Sequence, residues 1–109
     1  AEPTTMMLRN LPHRSTLEEI EQGIAAIGFA DTYDFLHVPR TRGRDTLAGF
    51  GFVNFTDHRV AENFRQEVRR LRLPSAPAGR VRATVAAVQG KAANWNRLRE
   101  LEALGKRYT

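Results

Sequence analysis

The residues of this sequence whose types and spacing suggest chemistry are aromatic rings and arginines. The densest run of rings spans residues 49–55, Gly-Phe-Gly-Phe-Val-Asn-Phe. Alternation along a strand places Phe50, Phe52 and Asn54 on one face and Gly51, Val53 and Phe55 on the other. Both faces carry rings, and glycine weakens a strand unless another group must approach its backbone closely. The run predicts a flat ligand such as an unpaired nucleobase, and the alternative is an edge strand whose rings pack under a helix.

Charge favours the same class of ligand. The chain has 17 Lys and Arg against 12 Asp and Glu, a net charge of +5, which favours an anionic partner. Lys91 and Lys106 are the only lysines among the basic residues. Arginine holds phosphate with a planar fork and stacks on bases, so the bias favours nucleic acid, although a GC-rich genome would produce the same bias.

The composition excludes several other kinds of chemistry. The sequence has no cysteine, which rules out disulfides, thiol catalysis and a zinc finger. His13, His37 and His58 fall in separate predicted elements without ligand-like spacing, so we expect no metal and no other cofactor. No apolar run approaches the ~20 residues of a membrane span, and the first residues lack the layout of a signal peptide. We expect an intracellular protein, nuclear or cytoplasmic, and a fragment of a longer chain.

Two earlier strands are predicted to share the face of Phe50. Thr4 to Leu11 forms the first, with Met6 and Leu8 inward and Met7 and Arg9 outward. The second spans residues 33–38, with Leu36 and Val38 inward and Tyr33, Phe35 and His37 outward. A basic loop follows, in which Arg40, Arg42 and Arg44 either grip phosphates or belong to a solvated hairpin. We favour the phosphate contact, because the loop joins the two strands that carry most of the rings.

Two helices are predicted, one after the first strand and one after residues 49–55. A Ser-x-x-Glu capping box at residues 15–18 opens the first helix, and Gly28 ends it. Its inward stripe is Leu17, Ile20, Ile24 and Ile27. Glu18, Glu19 and Glu21 are interpreted as a solvated face, since capping and the helix dipole explain them without catalysis or a metal. Asp57 caps the second helix, whose inward residues are Val60, Ala61, Phe64, Val68 and Leu71.

The remaining elements complete the pattern. Arg80 to Val88 is predicted as a fourth strand, with Val81, Ala83 and Val85 inward and Arg82 and Thr84 outward. Lys91 to about Leu104 is predicted as a third helix, with Trp95, Leu98, Leu101 and Leu104 on one side. This helix could cross the aromatic face, dock on the flank of the domain or fray. We favour the flank, because the outward rings suggest a face kept for a ligand.

The order strand, helix, strand, strand, helix, strand is that of a split βαβ sandwich. Within it, residues 48–55 resemble the longer signature of the RNA recognition motif at seven of its eight positions, with Ala48 in place of the usual basic residue. Residues 6–11 resemble the shorter signature, with Met7 in place of an outward ring. The resemblance implies an α+β, ferredoxin-like fold: a four-stranded antiparallel sheet with two helices on one face, plus a C-terminal helix. We expect the motif over residues 4–93 and a helical extension over 94–109.

Finer features resemble one branch of that family, the C-terminal motif of the Mei-two-like RNA-binding proteins. The segments that carry this resemblance are Thr5–Pro12, Thr32–Pro39, Gly49–Phe55 and Gln89–Ala93. The resemblance implies single-stranded RNA binding and gives neither the RNA sequence nor the process regulated. We also expect a monomer with a role in post-transcriptional regulation. The residues expected to contact RNA are Met7, Arg9, Tyr33, Phe35, His37, Arg40, Arg42, Arg44, Phe50, Phe52, Asn54, Arg82, Thr84, Gln89 and Lys91.

Two other functions compete with RNA binding. The same fold could serve as a protein-binding module, engaging a partner through the sheet or through the arginines of the second helix, Arg59, Arg65, Arg69, Arg70 and Arg72. An enzyme is disfavoured, because the sequence shows no phosphate-cradling loop, no nucleophile–base pair and no metal cluster.

Overall fold

The computed structural model describes residues 2–41 and 46–103. Its strands are β1 (Thr5–Arg9), β2 (Tyr33–His37), β3 (Phe50–Phe55) and β4 (Arg82–Val85). Its helices are α1 (Leu17–Ala26), α2 (His58–Glu67), which continues into a 3-10 turn (Val68–Arg70), and α3 (Lys91–Ala103). The predicted order of elements is confirmed, with α3 following the last strand.

The strands form one antiparallel sheet in the order β2-β3-β1-β4. The two strands that carry the signature segments, β1 and β3, are therefore central neighbours. Fold class and topology agree with the prediction: an α+β sandwich of the ferredoxin-like plan, with the signature strands in the middle of the sheet.

The hydrophobic core lies between one face of the sheet and the first two helices. Side chains from all of these layers are fully buried, namely Met6, Leu8, Val53 and Phe55 of the sheet, Ile20 and Ile24 of α1, and Ala61 and Phe64 of α2. The ring of Phe64 packs against Phe55 at 4.8 Å and edge-on against Phe29 at 5.2 Å between centroids. Burying each large side chain of this kind contributes about 1.5–3 kcal/mol, so the core fixes which face of the sheet stays outside.

The start of α1 differs by one residue from the prediction. Thr16, not Ser15, is the N-cap: its hydroxyl accepts from the Glu19 amide at 3.1 Å, and the Glu19 carboxylate accepts from the Thr16 amide at 2.9 Å. Threonine supports the same reciprocal capping box as serine, so the sequence alone does not show which of the two residues caps the helix. Leu17 becomes the first helical residue and is 38% exposed, so its predicted core position is wrong.

The fourth strand is shorter than predicted. It covers Arg82–Val85 rather than 80–88, and Val85 is 51% exposed instead of inward, since it ends an edge strand. Val81 is fully buried, as predicted.

The arginines of α2 and the turn after it lie on the solvent side of the helical layer. Arg65 pairs with Glu62, and Arg70 pairs with Glu67 at 2.7 Å. Exposed pairs of this kind contribute little to stability, because water screens the two charges. None of the described helices is long and apolar enough to cross a membrane.

Candidate functional site

The sheet face opposite α1 and α2, here called the open face, is organised in cross-strand rows by the register of the strands. The first row holds Phe50, Arg9 and Arg82. The second row holds His37, Phe52, Met7 and Thr84. The third row holds Phe35, Asn54 and Thr5. The register therefore brings residues far apart in the chain onto one surface, and most of the predicted contact residues lie on it.

The first two rows combine rings with cations. The rings of Phe50 and Phe52 are half-buried and meet edge-on, with 5.8 Å between centroids and 81° between planes. Arg9 and Arg82 are exposed beside Phe50, and the Arg9 Nε donates to the Thr84 hydroxyl at 3.1 Å. Flat apolar faces next to guanidinium groups can stack a base and contact its phosphate at the same time.

The third row is covered by α3. Phe35 is only 5% exposed, and its ring meets Trp95 edge-on at 5.2 Å. Asn54 and Thr5 are also buried, together with Asn94 of α3. The helix therefore crosses the β2 end of the open face, and the predicted docking on the flank of the domain is wrong.

A buried hydrogen-bond network fixes the start of α3 on the sheet. The Thr5 hydroxyl donates to Asn54 Oδ1 at 2.7 Å and accepts from the Gly90 amide at 2.9 Å and from Asn94 Nδ2 at 3.2 Å. Asn54 Nδ2 in turn donates to Asp34 Oδ1 at 2.8 Å. Buried polar groups of this kind are costly unless satisfied, so the network specifies one position for the helix.

Gln89 anchors the segment that leads into α3. Its side-chain Oε1 accepts from the amides of Thr4 and Thr5 at 2.9 Å each. Its Nε2 donates to the carbonyls of Thr5 at 2.9 Å and Ala86 at 2.8 Å. This amide was predicted to contact RNA; the structure instead uses both of its ends to hold the chain against β1.

Several solved structures share this architecture. A structure titled as the Rna15 RRM with bound RNA (GU) matches with a TM-score of 0.64 and 14% identity, over 88% of this chain and 96% of that one. The second RRM domain of the yeast poly(U)-binding protein Pub1 matches with a TM-score of 0.60 and 20% identity, over 81% and 99%. The fold is that of the RNA recognition motif.

Another similar structure is a complex titled Sxl-lethal protein/RNA, with a TM-score of 0.63 and 19% identity. It covers 83% of this chain, and this chain spans half the length of that one. No protein-family model matches the sequence, and no curated protein matches it either. At these identities the structural likeness shows the fold of the motif. The resemblance to the Mei-two-like branch stays a prediction from the sequence segments.

Tyr33 does not lie on the open face of the motif. The pairing of β2 with β3 shifts between Tyr33 and Phe35, and Tyr33 lies opposite Phe55 on the core side, with 6.3 Å between ring centroids. Burial is the main cause that raises the pKa of Tyr33, with smaller contributions from Glu21 and Asp31. The predicted outward orientation is wrong, because strict alternation fails at an irregularity that the sequence does not reveal.

His37 lies where the second row meets α3. A narrow space of about 30 Å³ separates His37 and Phe52 from Arg97 and Leu98 of the helix. Burial lowers the pKa of His37, and the charge of Glu102 opposes this effect. Burial beneath α3 therefore disfavours protonation of the His37 ring at the edge of the exposed rows.

The glycine at 51 has a structural cause other than a ligand. A Cβ at this position would lie 2.9 Å from Val38 Cγ2 and 3.0 Å from the His37 carbonyl oxygen. The close approach that the sequence suggested is thus made by the neighbouring strand on the core side, not by a bound base.

Lys91 and Arg40, two further residues predicted to contact RNA, lie outside the three rows. Lys91 is the exposed first residue of α3. Arg40 is exposed and pairs through its backbone with Leu47. Arg42 and Arg44 lie outside the described residues. Within the described residues, no group of three or more His, Asp or Glu side chains could hold a metal ion.

Proposed function

We propose that this domain binds single-stranded RNA on the first two rows of its open face. The observation that carries the proposal is the pair of half-exposed rings, Phe50 and Phe52, flanked by the exposed guanidinium groups of Arg9 and Arg82. Each base stacked on such a ring contributes about 1–3 kcal/mol, and the arginines supply the phosphate contacts. The RNA-bound neighbours of the same fold support the choice of ligand.

The covered third row limits the number of bases. Because α3 covers the ring of Phe35, stacking on the open face is limited to the rings of Phe50 and Phe52. Met7, in the second row beside Phe52, provides a softer platform than the ring usual at that position. We therefore infer a short footprint of about two stacked bases, with flanking contacts to phosphates.

The finer assignment is also proposed. The segments that resemble the Mei-two-like proteins support a monomeric intracellular RNA-binding module with a role in post-transcriptional regulation. On this reading the motif spans residues 4–93 and residues 94–109 form an extension. The module is a binding protein and not an enzyme.

Protein binding is the second candidate function, and one surface favours it. A cleft of about 480 Å³ on the helical side is lined by Arg69, Arg70 and Arg72 beside Gly23 and Ile27. A segment with acidic side chains would complement it. Binding of such a peptide should survive loss of the rings of Phe50 and Phe52 and should fail when Arg70 and Arg72 are replaced by alanine.

A salt titration of oligonucleotide binding tests the primary proposal. Affinity for single-stranded RNA should fall with salt, with a slope in log–log form of about −0.7 per phosphate contact. The double variant Arg9→Ala/Arg82→Ala should flatten the slope, whereas the charge-matched control Arg65→Ala/Arg69→Ala should leave it nearly unchanged. Absence of RNA binding at low salt would contradict the proposal.

A further inference from the structure

The open face continues beyond its first row into a cleft of about 590 Å³. Its walls come from three places in the chain: Asn10 and His13 after β1, Gly49 before β3, and Arg80 before β4. Asn10 directly follows Arg9, and Gly49 directly precedes Phe50, so the cleft adjoins the first row. Its volume lies within the range of about 300–1,000 Å³ that is usual for small-molecule sites.

Backbone and side-chain hydrogen bonds hold the walls of the cleft in place. Asn10 Nδ2 donates to the Arg80 carbonyl, and Arg80 Nε donates to the Asn10 carbonyl, both at 3.3 Å. The Leu11 amide also donates to the Gly49 carbonyl at 2.9 Å. Asn10 and Gly49 adopt left-handed conformations, with φ of 65° and 95°. A non-glycine residue in this conformation is uncommon, and such positions cluster at functional sites.

The polar groups of the cleft are of the kinds that recognise a nucleotide. His13 Nδ1 lies 2.8 Å from the Leu47 carbonyl oxygen, which can only accept, so Nδ1 carries the hydrogen and Nε2 of the neutral ring is an acceptor. Among the described residues, His13 Nε2, Asn10 Oδ1 and the two terminal nitrogens of Arg80 have no hydrogen-bond partner. The cleft thus offers two acceptors and one guanidinium group.

We propose that this cleft binds the nucleotide next to the base stacked on Phe50. The Arg80 guanidinium contacts its phosphate, while Asn10 Oδ1 and His13 Nε2 accept hydrogen bonds from the base. Two acceptors match a base with an exocyclic amino group, which presents two hydrogens, better than uracil, which presents a single N–H. The inference rests on the proposed function, because the strand reaches the cleft along the first row.

An abasic scan tests the proposal on the unaltered protein. A fluorescently labelled RNA hexamer is given one abasic position at a time, and its affinity is measured by anisotropy. Loss of the base next to the stacked pair should weaken binding on the order of fivefold, and uracil at that position should bind more weakly than adenine or cytosine. No cleft variant is needed for this measurement, so its result does not depend on how such a variant folds.

Variants then connect that position to the cleft. Asn10→Gly keeps the left-handed backbone and removes the amide, and His13→Ala removes the ring. In either variant the discrimination against uracil at that position should shrink. Arg80→Ala should weaken binding of all sequences alike, whereas the control Arg59→Ala, which removes the same charge from an exposed position of α2, should bind as the wild type.

The outcomes separate the two proposals. If the protein binds RNA and Phe50→Ala weakens it, but the abasic scan shows no further base position and the cleft variants keep the wild-type preference, the cleft inference is overturned and the proposed function stands. If the unaltered protein binds no single-stranded RNA at low salt, both are overturned.

Discussion

The indole of Trp95 meets the ring of Phe35 edge-on, with 5.2 Å between their centroids and 87° between their planes. Phe35 lies on the open face by register, yet this contact leaves it 5% exposed, while Trp95 remains 43% exposed. An edge-on pair contributes about 0.5–1.5 kcal/mol beyond the area it buries. A ring placed on the binding surface by β2 is thereby used to dock α3, and the surface left for a ligand is shorter than the strand pattern implies.

Removal of the C-terminal helix should therefore have two opposite effects. Deletion of residues 94–109 uncovers Phe35 and exposes the Thr5–Asn54 hydrogen bond to water. We expect a lower melting temperature, and an RNA footprint longer by about one nucleotide, because a third ring becomes available for stacking. Thermal unfolding and the length dependence of oligonucleotide binding measure both effects.

Asn96→Ala, which changes an exposed and uncharged residue of α3, is the control for this deletion and should behave as the unaltered protein does. A melting temperature unaffected by the deletion would show that α3 does not dock as described. A shorter footprint would show that the helix contributes more contacts to RNA than it blocks.

The half-buried rings of Phe50 and Phe52 should be needed for binding and not for folding. Phe50→Ala and Phe52→Ala each remove a half-buried ring from the open face and leave the core residues Val53 and Phe55 untouched. Each substitution should weaken single-stranded RNA binding by about 1–3 kcal/mol. Calorimetric titration measures the affinity, and circular dichroism verifies the fold.

Tyrosine at either position retains a stacking surface, so Phe50→Tyr and Phe52→Tyr serve as controls that should bind nearly as the wild type. A folded Phe50→Ala/Phe52→Ala protein with unaltered RNA affinity would refute the stacking mechanism.

Local patterns were sufficient to predict the two faces of β3 and most of the buried side of α1. Alternation within β3 correctly separates Phe50 and Phe52 from Val53 and Phe55, since the two faces of a strand differ by a fixed period. The spacing of Ile20 and Ile24 likewise identifies the buried side of α1, because helical periodicity depends only on neighbouring turns. Both features are determined within a few residues of chain.

The features that were missed depend on contacts between distant segments. Hydrogen bonds that join Asn94 and Gln89 to Thr5 of β1, more than 80 residues away in the sequence, fix the position of α3. The spacing of the leucines in α3 predicted an apolar contact instead. The orientation of Tyr33 depends on how β2 pairs with β3. Gln89, Gly90 and Asn94 are the residues from which the docking of α3 on the sheet could have been predicted. Polar residues, however, have no periodicity that reveals their partners.

Gln89 should act as a structural anchor. Gln89→Ala removes four hydrogen bonds to backbone groups of Thr4, Thr5 and Ala86. Leaving part-buried backbone groups without these partners should lower the free energy of unfolding by about 1–3 kcal/mol. Chemical denaturation measures the loss, and the fluorescence of Trp95, the single tryptophan of the chain, reports on undocking of α3.

Gln22→Ala provides a control, because Gln22 is an exposed residue of α1 and its replacement should change neither quantity. If Gln89→Ala were as stable as the wild type, the anchoring role would be wrong and the earlier prediction of an RNA contact would regain support.

The last prediction concerns the response of stability to pH. Burial lowers the pKa of His37 from its ordinary value of 6.5 in the folded state, against an opposing contribution from Glu102 of α3. As the pH falls through about 6.5, the unfolded chain therefore binds a proton at His37 before the folded chain does, and the free energy of unfolding decreases. This contribution is fully present above pH 6.5 and is lost progressively as the pH falls toward the lowered folded pKa.

Urea unfolding of the wild type and of His37→Gln between pH 7.5 and 5 isolates the contribution of His37 to the free energy of unfolding. His58→Gln is the control, since His58 lies 3.4 Å from Glu2. The wild type should lose more stability than His37→Gln on acidification, and Glu102→Gln should enlarge the loss. Parallel profiles for the wild type and His37→Gln would show that folding does not lower the pKa of His37.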